Sequence, residues 1–259
     1  MPDGTIVVDH LNDIGVITLN RPEQFNTFSR EMATQLRQGL MALDQDKAIR
    51  VVVVKGAGKA FCTGIDLSEF LGISSHQEYR RWLSLTLDVF QLIAEMRKPV
   101  LASAHGYALA FGGGLIAACD LAIVSKGTKI GVHAVNVGLF CMGPAVPLSR
   151  SLGRKRCMEM LMTGDLVDAD VAEKWGLVNR VVPEDQLETA TMALARKLAG
   201  KSPLAIQMGK KAYYGMSDME FGKALAYSNE RLASLCVTED AQEGVKAFLE
   251  KRDPVWKER

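Results

Sequence analysis

The chain has 259 residues, of which 48% are hydrophobic and 24% charged, and its formal net charge is +1. This near-neutral balance gives no electrostatic reason to expect a nucleic-acid partner or binding to an anionic membrane surface. The longest apolar run, around residues 100–124, is interrupted by His105, by glycines and by Asp120, so no membrane insertion is expected.

Five cysteines and four histidines are scattered along the chain without a CxxC motif or a metal-ligand spacing. We therefore expect reduced thiols, no disulfide framework and no metal site. The first ten residues carry no signal or transit pattern. Together with the cysteine usage, this predicts a cytoplasmic location.

Taken in chain order, β-rich runs alternate with helical patterns through the first half of the sequence. Strands are predicted at residues 5–8, 15–19, 49–55, 99–104 and 121–125, and helices at 30–44 and 76–96. Asn12 and Asp13 separate the first two strands, which are expected to form a hairpin, and Ser29 is the expected N-cap of the first helix. Such alternation is typical of parallel strands with helical crossovers, so the predicted fold class is α/β.

From residue 142 onward the pattern is almost entirely helical. Helices are predicted at residues 144–152, 154–162, 168–174, 184–199, 204–214, 219–235 and 239–251, with one more strand at 177–182. In the last helix Thr238 is the expected N-cap, and Val245, Phe248 and Leu249 share one face. We predict an α/β core over residues 1–200 and a helical C-terminal extension over residues 201–259.

Two glycine-rich loops, GAGKAFCTGIDL and GYALAFGGG, follow the strands predicted at 49–55 and 99–104. Ligands of parallel sheets bind beyond the carboxyl ends of the strands, so both loops are expected at one edge. Glycines allow close approach to the backbone, and a helix start offers unpaired N–H groups. The pattern favours a backbone site for an oxygen that gains negative charge. A loop packed tightly against a neighbouring strand is the alternative interpretation.

Three common nucleotide and hydrolase motifs are not supported. The run from Gly112 to Ala117 matches G-x-G-x-x-A, but it lies too far from its strand, and no acidic residue ends the next strand. GAGKA lacks the P-loop spacing, and no G-x-S-x-G elbow occurs. A dinucleotide site, a phosphate-binding P-loop and an α/β-hydrolase are therefore discounted.

Four blocks resemble, in the same order, motifs of the crotonase (enoyl-CoA hydratase/isomerase) family. They are GKAFCTGIDLSEF, KPVLASAHGYALAFGGGLIAACDLAI, LGRKRCMEMLMTGDLVDADVAEKWGLVNRVVP and QEGVKAFLEKRDPVW. The resemblance extends over about residues 20–256 and is greatest to the enoyl-CoA hydratase domain-containing branch. It implies a ClpP-like spiral of ββα units and an acyl-CoA substrate without a covalently bound cofactor. It also implies a homotrimer or dimer of trimers, assembled through residues 201–259.

The resemblance implies an oxyanion hole formed by the backbone N–H groups of Ile65 and Phe111. A one-residue shift would assign the second donor to Gly112, and the Phe111 side chain, where the family often has glycine, is expected to narrow the pocket. The implied substrate contacts are Phe25, Ile65, Asp66, Leu67, Ser68, Phe111, Gly112, Phe248 and Lys251. Asp66 is expected to bond to the backbone of its own loop. Phe248 and Lys251 would contact coenzyme A from a neighbouring subunit; a core phenylalanine and a solvated lysine are the alternative.

Both acid/base glutamates of the family's hydratases are missing, because Gly114 and Ala134 occupy their positions. Adding water to a double bond needs a group that activates water and a proton donor to carbon. His133 is the candidate replacement, with a surface or subunit-contact histidine as the alternative, and Cys141 is interpreted as a packing residue. The sequence therefore predicts oxyanion-stabilised chemistry other than hydration, or a catalytically silent acyl-CoA-binding protein.

Overall fold

A computed structural model describes residues 4–259, in which the chain forms nine strands and eleven α-helices. The strands are β1 (Ile6–Leu11), β2 (Ile14–Leu19), β3 (Val51–Gly56), β4 (Val100–Ala104), β5 (Tyr107–Leu109), β6 (Leu121–Ser125), β7 (Lys129–Gly131), β8 (Val167–Asp168) and β9 (Arg180–Val182). The helices are α1 (Arg30–Gln45), α2 (Leu67–Phe70), α3 (His76–Glu95), α4 (Phe111–Ala118), α5 (Met142–Ser151), α6 (Arg154–Thr163), α7 (Ala169–Trp175), α8 (Leu187–Ala199), α9 (Pro203–Met216), α10 (Phe221–Cys236) and α11 (Glu239–Glu250).

The strands form a six-stranded sheet in the order β1-β2-β3-β4-β6-β9 and a three-stranded sheet in the order β5-β7-β8. In the large sheet only the β1–β2 hairpin is antiparallel. Val53 pairs with Leu101, which pairs in turn with Leu121, so the middle strands lie in close register. The second sheet joins β5 and β7 in parallel and β7 and β8 in antiparallel.

Helices cover both faces of the large sheet, which explains the continuous apolar run of β3. Val52 and Val54 pack into the main core with residues of α1 and α3, whereas Val51 and Val53 pack against α8. Side chains alternate between the two faces of a strand, so each face of β3 supplies one core. The predicted α/β class, with a helical C-terminal region, is confirmed.

Local signals in the sequence located several boundaries correctly. β1 and β2 form the predicted hairpin, and Ser29 accepts a hydrogen bond from the N–H of Met32 at the start of α1. The short elements α2, β5, β7 and β8 were not predicted, because two to four residues carry too little periodicity to be recognised. The strand predicted at 177–182 begins only at Arg180, because the N–H of Leu177 bonds to Ala172 at the end of α7.

The three C-terminal helices pack on one another and leave an apolar face outside. Phe248 on α11 is 81% exposed, so the alternative interpretation of this residue as a core phenylalanine is wrong. Asp240 and Ala247 are the buried residues of this helix. Within residues 4–259, none of the helices combines the length and apolar character needed to cross a membrane. The boundary at residue 200 stays a prediction.

Candidate functional site

The two glycine-rich loops lie side by side beyond the carboxyl ends of β3 and β4. The N–H of Cys62 donates to the carbonyl of Tyr107 (3.2 Å), and the N–H of Leu109 donates to the carbonyl of Cys62 (2.8 Å). Cys62 and Ala108 thereby form an isolated parallel bridge. The N–H of Phe61 also donates to the carbonyl of His105 (3.1 Å). These backbone bonds hold the loops together at the edge expected from the sequence.

The N–H groups of Ile65 and Phe111 are unused within residues 4–259. Ile65 and Phe28 form an isolated parallel bridge. Its two hydrogen bonds run from the Phe28 N–H to the Gly64 carbonyl and from the Asp66 N–H to the Phe28 carbonyl, so the Ile65 N–H takes no part. Phe111 is the first residue of α4, where an N–H has no acceptor inside the helix. A side-chain carbon on Gly64 would lie 4.0 Å from the Phe111 nitrogen, so the two segments are in contact. The arrangement offers two preorganised donors on adjoining loops.

The first two glycines of α4 are required by close packing. A side-chain carbon on Gly112 would lie 2.1 Å from the Cys62 carbonyl oxygen, and one on Gly113 would lie 2.8 Å from the Gly131 carbonyl oxygen. Ala110, immediately before the helix, has a φ of 48°, which alanine rarely adopts. Its N–H donates to Gly131 (2.7 Å), which stabilises this strained turn. Tight packing and an unused backbone N–H therefore occur together in this loop.

The Phe111 side chain packs within an aromatic stack. Its ring lies between those of Phe28 and Phe90, with centroid distances of 3.9 and 4.8 Å and interplanar angles of 23° and 14°. Phe111 is only 2% exposed. Phe111 is therefore the middle ring of a three-ring stack at the start of α4, and its narrowing of the pocket stays a prediction.

Gly114 faces side chains that fill the space a larger residue would need. A side-chain carbon there would lie 2.8 Å from Cβ of Pro144 and 2.9 Å from Cζ of Phe90. Ala134 is half-buried at the start of a 3₁₀ helix, Ala134–Val137. Burial raises the pKa of the neighbouring Cys141 thiol, partly opposed by the N–H of Ala134. Phe90 and Pro144 therefore leave no room for a side chain at Gly114 without a local shift.

His133 follows β7 and precedes the Ala134–Val137 helix. Its carbonyl accepts a hydrogen bond from the N–H of Asn136 (3.0 Å). Its Nδ1 is buried and has no hydrogen-bond partner within residues 4–259. The carbonyl of Gly131, two residues before His133, accepts a hydrogen bond from the N–H of Ala110, which directly precedes α4. Its catalytic role stays a prediction.

Asp66 organises the loop that contains Ile65. Its carboxylate accepts hydrogen bonds from the N–H and hydroxyl of Ser68, as expected, and also pairs with Arg21 at 2.9 Å. Burial opposes ionisation, but the hydrogen bonds from Ser68 and Arg21 outweigh it and hold the pKa of Asp66 below its ordinary value. Phe25, whose carbonyl accepts a hydrogen bond from the Thr63 hydroxyl, and Leu67, which begins α2, are both about half exposed.

The sequence interpretation missed Asn26, which joins this region to the first glycine loop. Asn26 is fully buried and has a φ of 55°, a conformation that asparagine adopts more readily than most residues. Its amide nitrogen donates to the carbonyls of Ala57 and Ala60, and its oxygen accepts from the N–H of Arg21. No local pattern in the sequence predicts this role, because the carbonyls that Asn26 contacts lie more than thirty residues away.

A buried ion pair anchors the opposite end of α4 and was also missed. Asp120 pairs with Lys210 of α9 at 2.6 Å and accepts hydrogen bonds from the Tyr214 hydroxyl (2.9 Å) and the N–H of Val100 (2.7 Å). Burial and the Asp120 carboxylate raise the pKa of Tyr214 well above its ordinary value, so Tyr214 stays a donor. Lys210 and Tyr214 are ninety or more positions from Asp120 in the sequence, so local sequence patterns do not predict these contacts.

Phe248 and Lys251 belong to the C-terminal segment, whose contacts with the core are on the side of the sheet opposite to these loops. Asp240, in the first turn of α11, accepts from Ser202, and Glu258 pairs with Arg50 just before β3. These contacts are at the amino edge of the sheet, whereas Ile65 follows the carboxyl end of β3. The structure of one chain thus gives no contact between this pair and Ile65, and their role stays a prediction.

The buried thiols near the loops are protected from ionisation. Burial raises the pKa of Cys62 to about 12, partly offset by the N–H of Gly64, and also raises that of Cys119. Among the described residues, no group of three or more His, Cys, Asp or Glu side chains is arranged to hold a metal ion. The donors at this edge are therefore backbone N–H groups.

Residues 9–259 match the family model described as enoyl-CoA hydratase/isomerase. A crystal structure of enoyl-CoA hydratase from Mycobacterium smegmatis is similar, with a TM-score of 0.95 and 39% identity, covering 98% of this chain and 99% of that one. Human enoyl-CoA hydratase domain-containing protein 3 gives a TM-score of 0.91 and 33% identity, covering 97% of this chain and all of the other. The mitochondrial protein of that name from Mus musculus is 33% identical over 240 residues, 93% of this chain and 80% of its own length.

Proposed function

Because the chain belongs to the enoyl-CoA hydratase/isomerase family, we propose that it binds an acyl-CoA thioester with the thioester oxygen between the N–H groups of Ile65 and Phe111. The observation that carries this proposal is the pair of unused N–H groups on two loops that are bonded together. The flanking contacts of Asp66 and Asn26 support it, because they fix the loop geometry before a ligand arrives. Fixed donors stabilise a developing oxyanion without reorganisation, and losing one costs on the order of 3 kcal/mol in barrier height.

The reaction we propose is not ordinary hydration. Gly114 and Ala134 provide neither a base for water nor an acid for carbon. Decarboxylation, thioester cleavage or an isomerisation that uses His133 are the candidate reactions. Each passes through, or is aided by, negative charge on the thioester oxygen, which the two N–H groups would stabilise.

A second candidate is a catalytically silent acyl-CoA-binding protein. The packing at Gly114 favours it, since Phe90 and Pro144 occupy the volume next to this position. This candidate retains the thioester site but assigns it to binding alone. Turnover of any thioester would exclude it.

We further propose that the chain works as a homotrimer or dimer of trimers through residues 201–259. The exposed Phe248 and the neighbouring Lys251 would then contact coenzyme A bound to another subunit. No covalently bound cofactor is needed for this scheme, since coenzyme A arrives with the substrate. The cytoplasmic location remains part of the proposal.

A panel of acyl-CoA thioesters tests these candidates. Calorimetry would report binding and mass spectrometry would report turnover, with free coenzyme A as the ligand that lacks the thioester carbonyl. The key variant is Phe111→Pro, which removes the N–H at a helix position that accepts proline, and Phe111→Leu is its control because it keeps the N–H.

We expect Phe111→Pro to weaken acyl-CoA binding or turnover about tenfold or more relative to Phe111→Leu, with free coenzyme A bound equally by both. Circular dichroism would verify that both variants fold. Equal thioester affinity in the two variants would contradict the oxyanion assignment. A wild-type protein that binds neither coenzyme A nor any thioester would contradict both candidate functions.

A further inference from the structure

A large cavity borders the aromatic stack at Phe90, and Ile65 is not among its lining residues. Its volume is about 1450 Å³, and helices α3, α4, α5, α9 and α10 provide its lining. Its lining includes Leu87 and Phe90 of α3, Ala117 of α4, and Gly143 and Pro147 of α5. Neither Ile65 nor Phe111 belongs to the lining. The space exceeds that of most small-molecule pockets, so an extended apolar group would fit it.

Phe90 is the side chain shared by the cavity and the candidate site. One side of its ring stacks on Phe111, whose N–H is a proposed donor, with centroids 4.8 Å apart. Its Cζ lies 2.9 Å from the position of a side-chain carbon on Gly114. The same residue also lines the cavity. Phe90 therefore contacts the first residue of α4 and also lines the cavity.

The absence of a side chain at Gly114 allows this placement. Residues 111 and 114 are three apart in α4 and lie on neighbouring parts of one helix face. An acyl chain directed from the two N–H groups along this face would meet Phe90, which borders residue 114 and also lines the cavity. Pro144 borders the same space through its own ring and backbone, but it belongs to α5 and does not stack on Phe111.

From this geometry we infer that Phe90 sets the acyl-chain length, closing the site to long chains and separating it from the cavity. The inference rests on the proposed thioester function. It assigns specificity to one aromatic side chain on α3. In the wild-type protein the site takes short acyl groups, and removal of the Phe90 ring joins the site to the cavity and admits longer ones.

The test compares acetyl-CoA, butyryl-CoA and octanoyl-CoA by calorimetry on the purified full chain. Phe90→Ala removes the ring that separates the site from the cavity. Leu87→Ala is the matched control, because Leu87 lies on the same helix and lines the same cavity but does not stack on Phe111. Phe90→Leu is a second variant, for use if Phe90→Ala does not fold. It replaces the aromatic ring with a smaller apolar side chain.

We expect the wild type to bind butyryl-CoA about tenfold or more tightly than octanoyl-CoA. Phe90→Ala, or Phe90→Leu in its place, should reverse that preference by gaining about tenfold or more for octanoyl-CoA, since added methylenes become buried. Leu87→Ala should keep the wild-type order. Thioester binding with an unchanged order in the Phe90 variants, or an equal gain in Leu87→Ala, would overturn this inference alone. Binding of no thioester by any protein would overturn the proposed function and the inference with it.

Discussion

At the scale of single residues, Gly114 is the position of α4 around which neighbouring side chains pack most closely on the side of Phe90. Phe90 and Pro144 lie within contact distance of the place where a side chain would begin. Restoring a carboxylate therefore changes more than one group. A glutamate would have to displace an aromatic ring or a proline in α5, and overpacked positions of this kind are costly.

The first prediction concerns Gly114→Glu, which should lower the free energy of unfolding by about 1–3 kcal/mol because of overpacking. The double variant Phe90→Ala/Gly114→Glu should lose less than the sum of the two single variants, with a coupling of about 1 kcal/mol or more. Urea unfolding of the four proteins measures this cycle. Strictly additive losses would show that Phe90 and residue 114 do not compete for space.

The second prediction concerns Asp66, whose folded-state pKa is held below its ordinary value. Its ionisation contributes stability above the unfolded pKa, about 3.9, and this contribution is lost as the pH falls through the lower folded pKa. Asp66→Asn should therefore be less stable than the wild type at pH 7, and the difference should shrink below about pH 4. Unfolding curves from pH 7 to 3 test this; a difference that stays constant across that range would contradict the assigned partners.

These residues also show where prediction from sequence succeeds. The caps at Ser29 and Thr238 and the Asp66–Ser68 bond involve neighbours within three residues, so local chemistry defines them. Phe90 could be assigned to a helix from periodicity, but not to a stack with Phe111. That contact depends on how the crossover places α3 over α4, which is a property of the tertiary fold.

At the scale of elements, α4 is held at both ends by different forces. Its first turn is fixed by backbone bonds to the first glycine loop and to β7, and its last turn is followed by the buried Asp120–Lys210 pair. The short strands on which the first turn depends, β5 and β7, have only three residues each. These strands depend on pairing with distant segments, and for this reason the sequence predicts the glycine-rich loop GYALAFGGG where β5 is found.

The third prediction is that Lys210→Met destabilises the protein by about 3–5 kcal/mol, because it leaves the Asp120 carboxylate buried without its cation. Lys211→Met is the control, since Lys211 is exposed on the same helix. Its effect should be within about 0.5 kcal/mol of the wild type. Chemical unfolding measures both. Equal stabilities of the two variants would indicate that the pair does not anchor the end of α4.

At the scale of the whole molecule, the C-terminal helices leave an apolar face without a partner in one chain. The most exposed large side chains of this face include Phe221, Leu232, Phe248 and Leu249. Contiguous exposed apolar surface is uncommon in monomers and is typical of interfaces. The sequence predicted helices here from periodicity, but the 3.6-residue repeat does not tell whether an apolar face meets its own core or another subunit.

The fourth prediction is that the chain sediments with three or six times its monomer mass, as the proposed assembly requires. Phe248→Glu should reduce this assembly, because it would bury an unpaired charge at the interface. Lys246→Glu, which changes an already exposed charged position of α11, is the control. Analytical ultracentrifugation at several concentrations gives the masses. A monomeric wild type would contradict the proposed assembly.

The central claim is a thioester site that keeps its two backbone donors but lacks the groups for hydration. Titration of the wild-type protein with crotonyl-CoA in a calorimeter tests it most directly, since one trace records both binding and continuing reaction heat. We predict a saturable binding isotherm and no product of water addition to the double bond of crotonyl-CoA. Sustained heat with formation of the hydrated product, or no binding heat at any concentration of crotonyl-CoA, would contradict the account.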